Sequence, residues 1–446
     1  MSTITPSCAV VVGLGVSGVA AATLLASQGW TVTANDRATP SELAARLTTL
    51  PAGVTVVTGG HSLELLDGVA LVVASPGVPW ELPLLAEARR RGIEVIAEVE
   101  LASRALPRVP IVAVTGSNGK TTVTSLLGAI GAAAGWRVGV GGNIGTAASE
   151  LALASGWDAV VLELSSFQLE GCTTLRPRVG VLLNVSPDHL DRHPTMASYL
   201  AAKARIFAHQ LADDFAVLNA DDPTLAGLQV PSRTVFFSLS KQGAEAHLAG
   251  DSLVLGGELL LRRAELPLLG DHNVANALAA ALAASRLGVP TTAIARALRS
   301  ASALPHRHQV VAETGGVRWV DDSKGTNIGA TAAGLAGYAS GTIHLILGGL
   351  GKGQDFRQLR PAAEGRLAHI YLIGEAAEEI AVALAGSAPI ESCGTLEEAV
   401  RRAADRARPG DVVLLSPACA SFDQFRNYEH RGDEFARLVR SAAGSV

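Results

Sequence analysis

Short apolar runs alternate along the chain with longer stretches whose apolar positions recur at helical spacing. Most of the runs end in a turn bearing glycine or serine. "CAVVVGLG" reads as a strand and turn, followed by an alanine-rich helix to Gly29. "WTVTAND", "GVALVVASPGVP" and "GIEVIAEVEL" read as further strands. Pro107 and Pro110 then interrupt the pattern and mark a boundary. A second segment opens with "PIVAVTGSNGKTTVTSLLGAI", a buried strand running through a glycine-containing loop into a helix. "WDAVVLELSSFQ" and "VGVLLNVSPDHLDRH" are strands with polar carboxyl ends, and "DHNVANALAAALAASRLGV" is a long helix. "ALPHRHQVV" marks a second boundary. A third segment repeats the style in "GVRWVDDSKGTN", "TIHLILGGLGKGQDF", "HIYLIGEA" and "DVVLLSPACASFDQF". Strands separated by helices predict parallel, doubly wound sheets, because a parallel connection must cross the face of the sheet. The fold class expected is therefore α/β, in three units.

Composition narrows this little and excludes more. Of the 446 residues, 48% are hydrophobic and 17% charged, enough apolar surface for ordinary cores. A net charge of −5 leaves no global positive field for nucleic acid or an anionic membrane. Cys8, Cys172, Cys393 and Cys419 lack the spacing of a zinc site or a disulfide framework and suit a reducing cytosol. The apolar stretch from Cys8 to Trp30 has no Lys or Arg before it and carries a phosphate-loop glycine pattern. It reads as strand, turn and helix, not as a targeting segment, so a cytoplasmic protein without a membrane span is expected.

The candidate chemistry sits at strand ends, where open parallel sheets bind ligands. Gly116, Ser117, Asn118, Gly119, Lys120, Thr121 and Thr122 form a phosphate-binding loop. Its backbone N–H groups and helix N-terminus favour phosphate oxygens, Lys120 the β- and γ-phosphates, and a threonine hydroxyl magnesium. Val114 stands where the general pattern has its first glycine. Gly13, Gly15 and Gly18, with Asp36 beyond them, make a G-x-G-x-x-G unit. That unit admits a dinucleotide or any diphosphate with a ribose, and a nicotinamide-dependent dehydrogenase is the rival it raises. Glu163 ends an apolar strand, and Asp188, His189 and Asp191 follow another; these are candidate magnesium ligands. His189 can equally be structural, and Lys203 by itself reads as a solvated helix charge. Asp322, Ser323, Lys324, Thr326 and Asn327 form a polar burst, with Lys352, Ser421 and Phe422 in later loops. Spacing leaves open a ribose contact, an amino-acid cradle or a surface loop.

Taken together and in order, "TGSNGKTT", "LELSSFQ", "NVSPDHLDRH", "AAKARIF", "DHNVANALAA", "LPHRHQ", "DDSKGTN", "GGLGKGQDF" and "LLSPACASFDQF" resemble the Mur ligases, in the wording of the D-glutamate-adding members. The likeness runs through essentially the whole chain. It implies a Rossmann-like UDP-binding domain at 1–98, a central P-loop ATPase domain with a mostly parallel sheet at 99–304, and a Rossmann-like amino-acid-binding domain at 305–446. The implied reaction uses ATP to make an acyl phosphate on UDP-N-acetylmuramoyl-L-alanine, which the amine of D-glutamate attacks, in cytoplasmic peptidoglycan precursor synthesis. Position by position, the resemblance assigns Lys120 and its loop to the phosphates. It assigns Thr121 and Glu163 to one magnesium, and His189 with a carbamylated Lys203 to a second. Asn273, Asn276, Arg307 and Asp322 fall around the nucleotide. Val16, Ser17, Asp36, Arg37 and Gly77 fall by the UDP, and Asn143, Gln168 and His189 by the muramoyl part. Lys324, Thr326, Lys352, Ser421, Phe422 and Tyr428 fall in the D-glutamate pocket. A monomer is expected, and the shortened phosphate loop at Val114 is usual for the family.

Overall fold

A computed structural model describes residues 7–106, 109–188 and 192–443; Pro107, His189 and Asp191 lie outside them. Three sheets, each with its own core, follow one another along the chain. The first has five parallel strands in the order Thr55–Thr58, Thr31–Asp36, Cys8–Val12, Val69–Ala74, Glu94–Ala97. The order reverses at Cys8–Val12, so a crevice opens beyond that strand's carboxyl end. The helix Val16–Ser27 starts there, and Gly18 lets it approach the strand: a Cβ on Gly18 would stand 1.8 Å from the Gly13 carbonyl oxygen.

The second sheet has nine strands. Its parallel centre runs Phe215–Asn219, Val179–Leu182, Ile111–Thr115, Ala159–Glu163, Val138–Gly142. Arg233–Ser238 and Ala246–Ala249 continue it in parallel, and Ser252–Leu255 and Glu258–Arg262 add an antiparallel edge. The helices Lys120–Ala133 and Asp271–Arg286 pack on one face. The alanine-rich middle of the latter is fully buried, because small side chains let helix and sheet backbones come close. The third sheet runs Gln309–Thr314, Val317–Asp321, Val412–Leu415, Ile343–Gly348, Leu367–Ile373, Ile390–Gly394, parallel except at its first pair.

One element departs from the sequence expectation. "GIEVIAEVEL" is a strand only over Glu94–Ala97; Glu98–Ala105 is a helix. Alternating Glu and Val mimicked a strand, but both carboxylates are claimed by residues about 50 to 75 positions further along the chain. Glu98 Oε1 accepts the Ser149 N–H at 2.5 Å, and Glu100 accepts from Thr174 Oγ1 and the Leu175 N–H. Arg104, one turn on from Glu100, donates to the same carboxylate at 2.8 Å, an i,i+4 pair that only a helix brings together. The antiparallel edge had no counterpart in the expectation either, since its short strands carry no helix between them.

Candidate active site

The strand Ile111–Thr115 ends in a loop that must turn sharply into the helix Lys120–Ala133. Val114 is still inside the sheet, paired with Glu163 and Val181, so the loop begins only at Gly116. Gly119 holds φ +85° as the N-cap, and a Cβ there would lie 2.4 Å from Asn276 Oδ1. Positive φ and close approach together demand glycine. The loop is braced from the side: Ser117 Oγ donates to the Ser186 carbonyl at 3.0 Å, and the Asn118 N–H donates to Asn184 Oδ1 at 2.9 Å.

Lys120 folds back onto the Gly116 and Ser117 carbonyls at 2.7 and 2.9 Å. Lys203, on the helix Met196–Ala204, donates to the same Gly116 carbonyl at 2.9 Å and lies over the Tyr199 ring. It is 1% exposed, so the solvated-charge alternative fails. Burial, then repulsion by Lys120, holds its ammonium well below the usual lysine range. Burial lowers Lys120 as well, against the pull of Glu163 and Asp188.

Glu163 is buried at the carboxyl end of Ala159–Glu163. Its Oε1 accepts from Asn143 Nδ2 at 3.0 Å, whereas Oε2 has no hydrogen-bond partner among the described residues. A buried carboxylate oxygen is costly to leave unpaired, so this atom is suited to a cation as its partner. Among the described residues no group of three or more His, Cys, Asp and Glu could hold a metal. Glu163 Oε2 and the hydroxyl of Thr121, in the first turn of the helix Lys120–Ala133, are oxygen donors of the kind magnesium takes when phosphate and water complete its shell.

Arg307 reaches this loop from the third domain, donating from Nη2 to Thr121 Oγ1 at 2.8 Å. It stands between His306 and His308, both at positive φ (59° and 48°). His306 Nδ1 meets Asp321 Oδ2 at 2.7 Å, and His308 Nε2 meets Asp322 Oδ2 at 3.4 Å. The hydrogen bond to Asp321 raises His306; burial pushes His308 down but Asp322 outweighs it and the net shift is upward. Strain of this kind persists only where surrounding contacts enforce it. A cavity of about 360 Å³ opens beside the loop, lined by Asn118, Thr122, Asn273, Asn276, Arg307 and Asp322 among others. Asn276 Nδ2 donates to Asn273 Oδ1 at 3.2 Å, and Asp322 Oδ2 accepts from Ser416 Oγ at 2.7 Å.

The crevice of the first sheet is a cavity of about 780 Å³. Val16, Ser17, Asp36, Arg37 and Gly77 line it, with Asn143 and Gln168 of the central domain on the facing wall. Asp36 accepts the Leu14 and Ala38 N–H groups at 2.6 and 2.9 Å, which fixes its carboxylate in the cavity lining. Gln168 is buried with Nε2 unpartnered among the described residues. His61 also lines the cavity, its Nδ1 2.6 Å from Asn35 Oδ1; nothing in the local sequence flagged it.

In the third domain the Lys324 ammonium lies 4.1 Å from the Tyr428 ring centre. Burial, reinforced by Arg307 and Lys120, pulls it down to about 8. Burial pushes Tyr428 up to about 12. Lys352 Nζ donates to the Thr326 carbonyl at 3.1 Å, and a bridge between Leu350 and Ala420 joins the Lys352 loop to the one bearing Ser421 and Phe422. Ser421 is buried and Phe422 exposed. The expected residues of this pocket thus occupy adjoining loops.

Sequence reasoning missed Arg431, which is fully buried. Its guanidinium donates to Ser323 Oγ and to the Ser323, Cys419 and Ala420 carbonyls at 2.9–3.3 Å. It clamps the two loops next to Lys324 and Ser421. A lone arginine in an amphipathic terminal helix carries no signal of that role.

Three family profiles match successive parts of the chain. Residues 7–97 match the Mur ligase MurD-like N-terminal domain, 114–284 the Mur ligase middle domain, and 306–419 the Mur ligase glutamate ligase domain. The chain belongs to the Mur ligase family. Among curated relatives of this Mur ligase, UDP-N-acetylmuramoylalanine–D-glutamate ligase of Anaeromyxobacter dehalogenans is 48% identical, the alignment covering 97% of each chain. The protein of the same name from Acidobacterium capsulatum is 47% identical over 98% of this chain and 96% of its own. Among solved structures, UDP-N-acetylmuramate-alanine ligase MurC of Thermotoga maritima superposes with a TM-score of 0.61 at 18% identity, covering 98% of this chain and 100% of its own. MurF ligase of the same organism, in complex with ADP, gives 0.60 at 20% identity over 85% and 90%. These structures speak for the three-domain fold.

Proposed function

We propose that this Mur ligase uses ATP to join D-glutamate to UDP-N-acetylmuramoyl-L-alanine in cytoplasmic peptidoglycan precursor synthesis, acting as a monomer with domains at 1–98, 99–304 and 305–446. The observation that carries the reading is Asn143. It lines the nucleotide-sized crevice and also bonds Glu163 beside the phosphate loop, so a substrate held in that crevice presents its free end to the phosphates. Near-half identity along the whole chain to relatives named for this reaction supports it. Among the described residues no helix is long and apolar enough to cross a membrane.

In this mechanism the alanyl carboxylate attacks the γ-phosphorus of ATP, and the β–γ bridging oxygen leaves with ADP. The amine of D-glutamate then attacks the acyl carbon. The tetrahedral intermediate expels inorganic phosphate, and the amine's surplus proton passes to solvent or to phosphate. Phosphorylation is needed because a carboxylate has no good leaving group. Lys120 and the N–H groups of the loop from Gly116 to Thr122 hold the phosphates. Arg307 stabilises charge on the transferring phosphoryl group. Asn273, Asn276 and Asp322 position the nucleotide. Val16, Ser17, Asp36, Arg37 and Gly77 hold the UDP, and Asn143, Gln168 and His189 the muramoyl part. Lys324, Thr326, Lys352, Ser421, Phe422 and Tyr428 receive D-glutamate, with lysines opposite its carboxylates.

Two magnesium ions belong to the reading, one held by Thr121 and Glu163, the other by His189 and Lys203. They supply charge neutralisation of the phosphates. An ammonium at Lys203 would repel a cation, but the neutral amine adds carbon dioxide to give an anionic carbamate and a proton. Deep burial and the depressed proton affinity of Lys203 favour that neutral amine. Purified enzyme should release phosphate only with ATP, Mg²⁺, UDP-N-acetylmuramoyl-L-alanine and D-glutamate all present; turnover without D-glutamate dependence rejects the assignment. Lys203→Ala should lose activity and regain part of it with a small added carboxylate. Full activity without the additive rules out the carbamate.

A further inference from the structure

Catalysis in the scheme above needs an acyl phosphate made on the central domain and an amine delivered by the C-terminal domain. We propose that Asn327 is the positioning residue that sets these two halves in register, an inference that rests on the functional reading. Its side-chain Oδ1 accepts the Ala330 N–H at 2.8 Å, capping the helix Ile328–Leu335 directly after the loop bearing Lys324 and Thr326. Its Nδ2 points the other way, across the domain boundary. It donates to Asp188 Oδ2 at 3.0 Å and to Asn118 Oδ1, on the phosphate loop, at 3.2 Å. Both N–H groups of one buried amide are thus spent on the central domain.

The backbone is built for this approach. Two residues on, a Cβ at Gly329 would stand 2.9 Å from Ser186 Oγ and 3.3 Å from Asn118 Nδ2, so a larger residue would push these two side chains aside. The loop behind Asn327 is stiff: Gly325 N–H donates to the Asp322 carbonyl at 2.8 Å, Thr326 N–H to the Lys324 carbonyl at 2.8 Å, and Lys324 N–H to the His306 carbonyl at 3.1 Å. A displacement at Asn118 is therefore passed to the amino-acid loop, and a misplacement of about 1 Å between reacting groups costs roughly a hundredfold in rate.

Capping and bridging can be separated by substitution. Asn327→Ser keeps an N-cap acceptor but cannot span the boundary. Asn327→Asp keeps the cap, loses both donors and faces Asp188 with a like charge. Both should melt close to wild type while kcat falls about tenfold or more, the aspartate variant further, with the KM for ATP nearly unchanged. Asn327→Asp combined with Asp188→Asn restores a bond in the reverse sense, and its kcat should exceed the product of the two single effects. Hydrogen exchange supplies a readout that needs no turnover: in Asn327→Ser, exchange should rise at 116–120 while 328–335 stays protected. A cap-only role predicts wild-type kcat and wild-type exchange at 116–120 in the serine variant, and that result overturns the proposal. If wild type shows no D-glutamate-dependent phosphate release, the functional reading fails, and the exchange measurement alone still decides whether Asn327 couples the two domains.

Discussion

Lys324 shows how much one residue's behaviour depends on its surroundings. Its ammonium is half-buried over Tyr428, near Arg307 and Lys120, and its proton is held only to about pH 8. Only the protonated form pairs with a carboxylate, so kcat/KM for D-glutamate should fall as pH rises through about 8 in the free enzyme. Lys324→Arg should retain binding and lose that descending limb, because guanidinium stays charged. A limb that survives unchanged in the arginine variant would assign it to another group. The lysine itself was legible in "DDSKGTN". Its depressed proton affinity was not, since it arises first from burial and then from Arg307 and Lys120, which lie elsewhere in the chain. Lys203 makes the same point: an isolated helix lysine reads as solvated, and only the packed structure buries it against Gly116.

Strand–turn–helix units were the readable elements. The long helix Asp271–Arg286 and the strands that lead to Lys120, end on Glu163 and lead to Lys324 all stand where apolar periodicity placed them. The helix Glu98–Ala105 did not declare itself, and its opening residue carries a prediction. Burial pushes the Glu98 carboxyl up to about 7, partly opposed by the Ser149 N–H. A carboxyl whose proton affinity rises on folding binds more protons folded than unfolded between about 4.5 and 7. Stability should therefore fall as pH rises through that window and level off above it. Glu98→Gln keeps an acceptor for Ser149 and removes the charge, so its melting temperature should depend less on pH between about 5 and 8 than that of wild type. Equal pH dependence in the two proteins would show that Glu98 is not the group responsible.

At the scale of the whole molecule, two cavities draw on different loops of the central domain, one on Asn143 and Gln168 and the other on Asn118 and Thr122. Lys120→Ala should abolish phosphoryl transfer yet leave the crevice intact. In thermal unfolding, UDP-N-acetylmuramoyl-L-alanine at about a hundred times its Kd should stabilise wild type and variant alike, by roughly 2.7 kcal/mol. ATP with Mg²⁺ should stabilise wild type alone. Loss of the first effect in the variant would mean that the domain roles are misassigned. The amino-acid sequence by itself determined the α/β class, the succession of three units and a set of candidate side chains at strand ends. These are local properties: periodicity decides an element, and residue type at a strand's carboxyl end decides what it can bind. The tertiary structure decided which atoms meet. Lys203 and Gly116 lie 87 residues apart, Asn327 and Asp188 139 apart, and Arg307 and Thr121 186 apart. No spacing rule relates such pairs, because crossovers between strands and the docking of one domain on another bring them together.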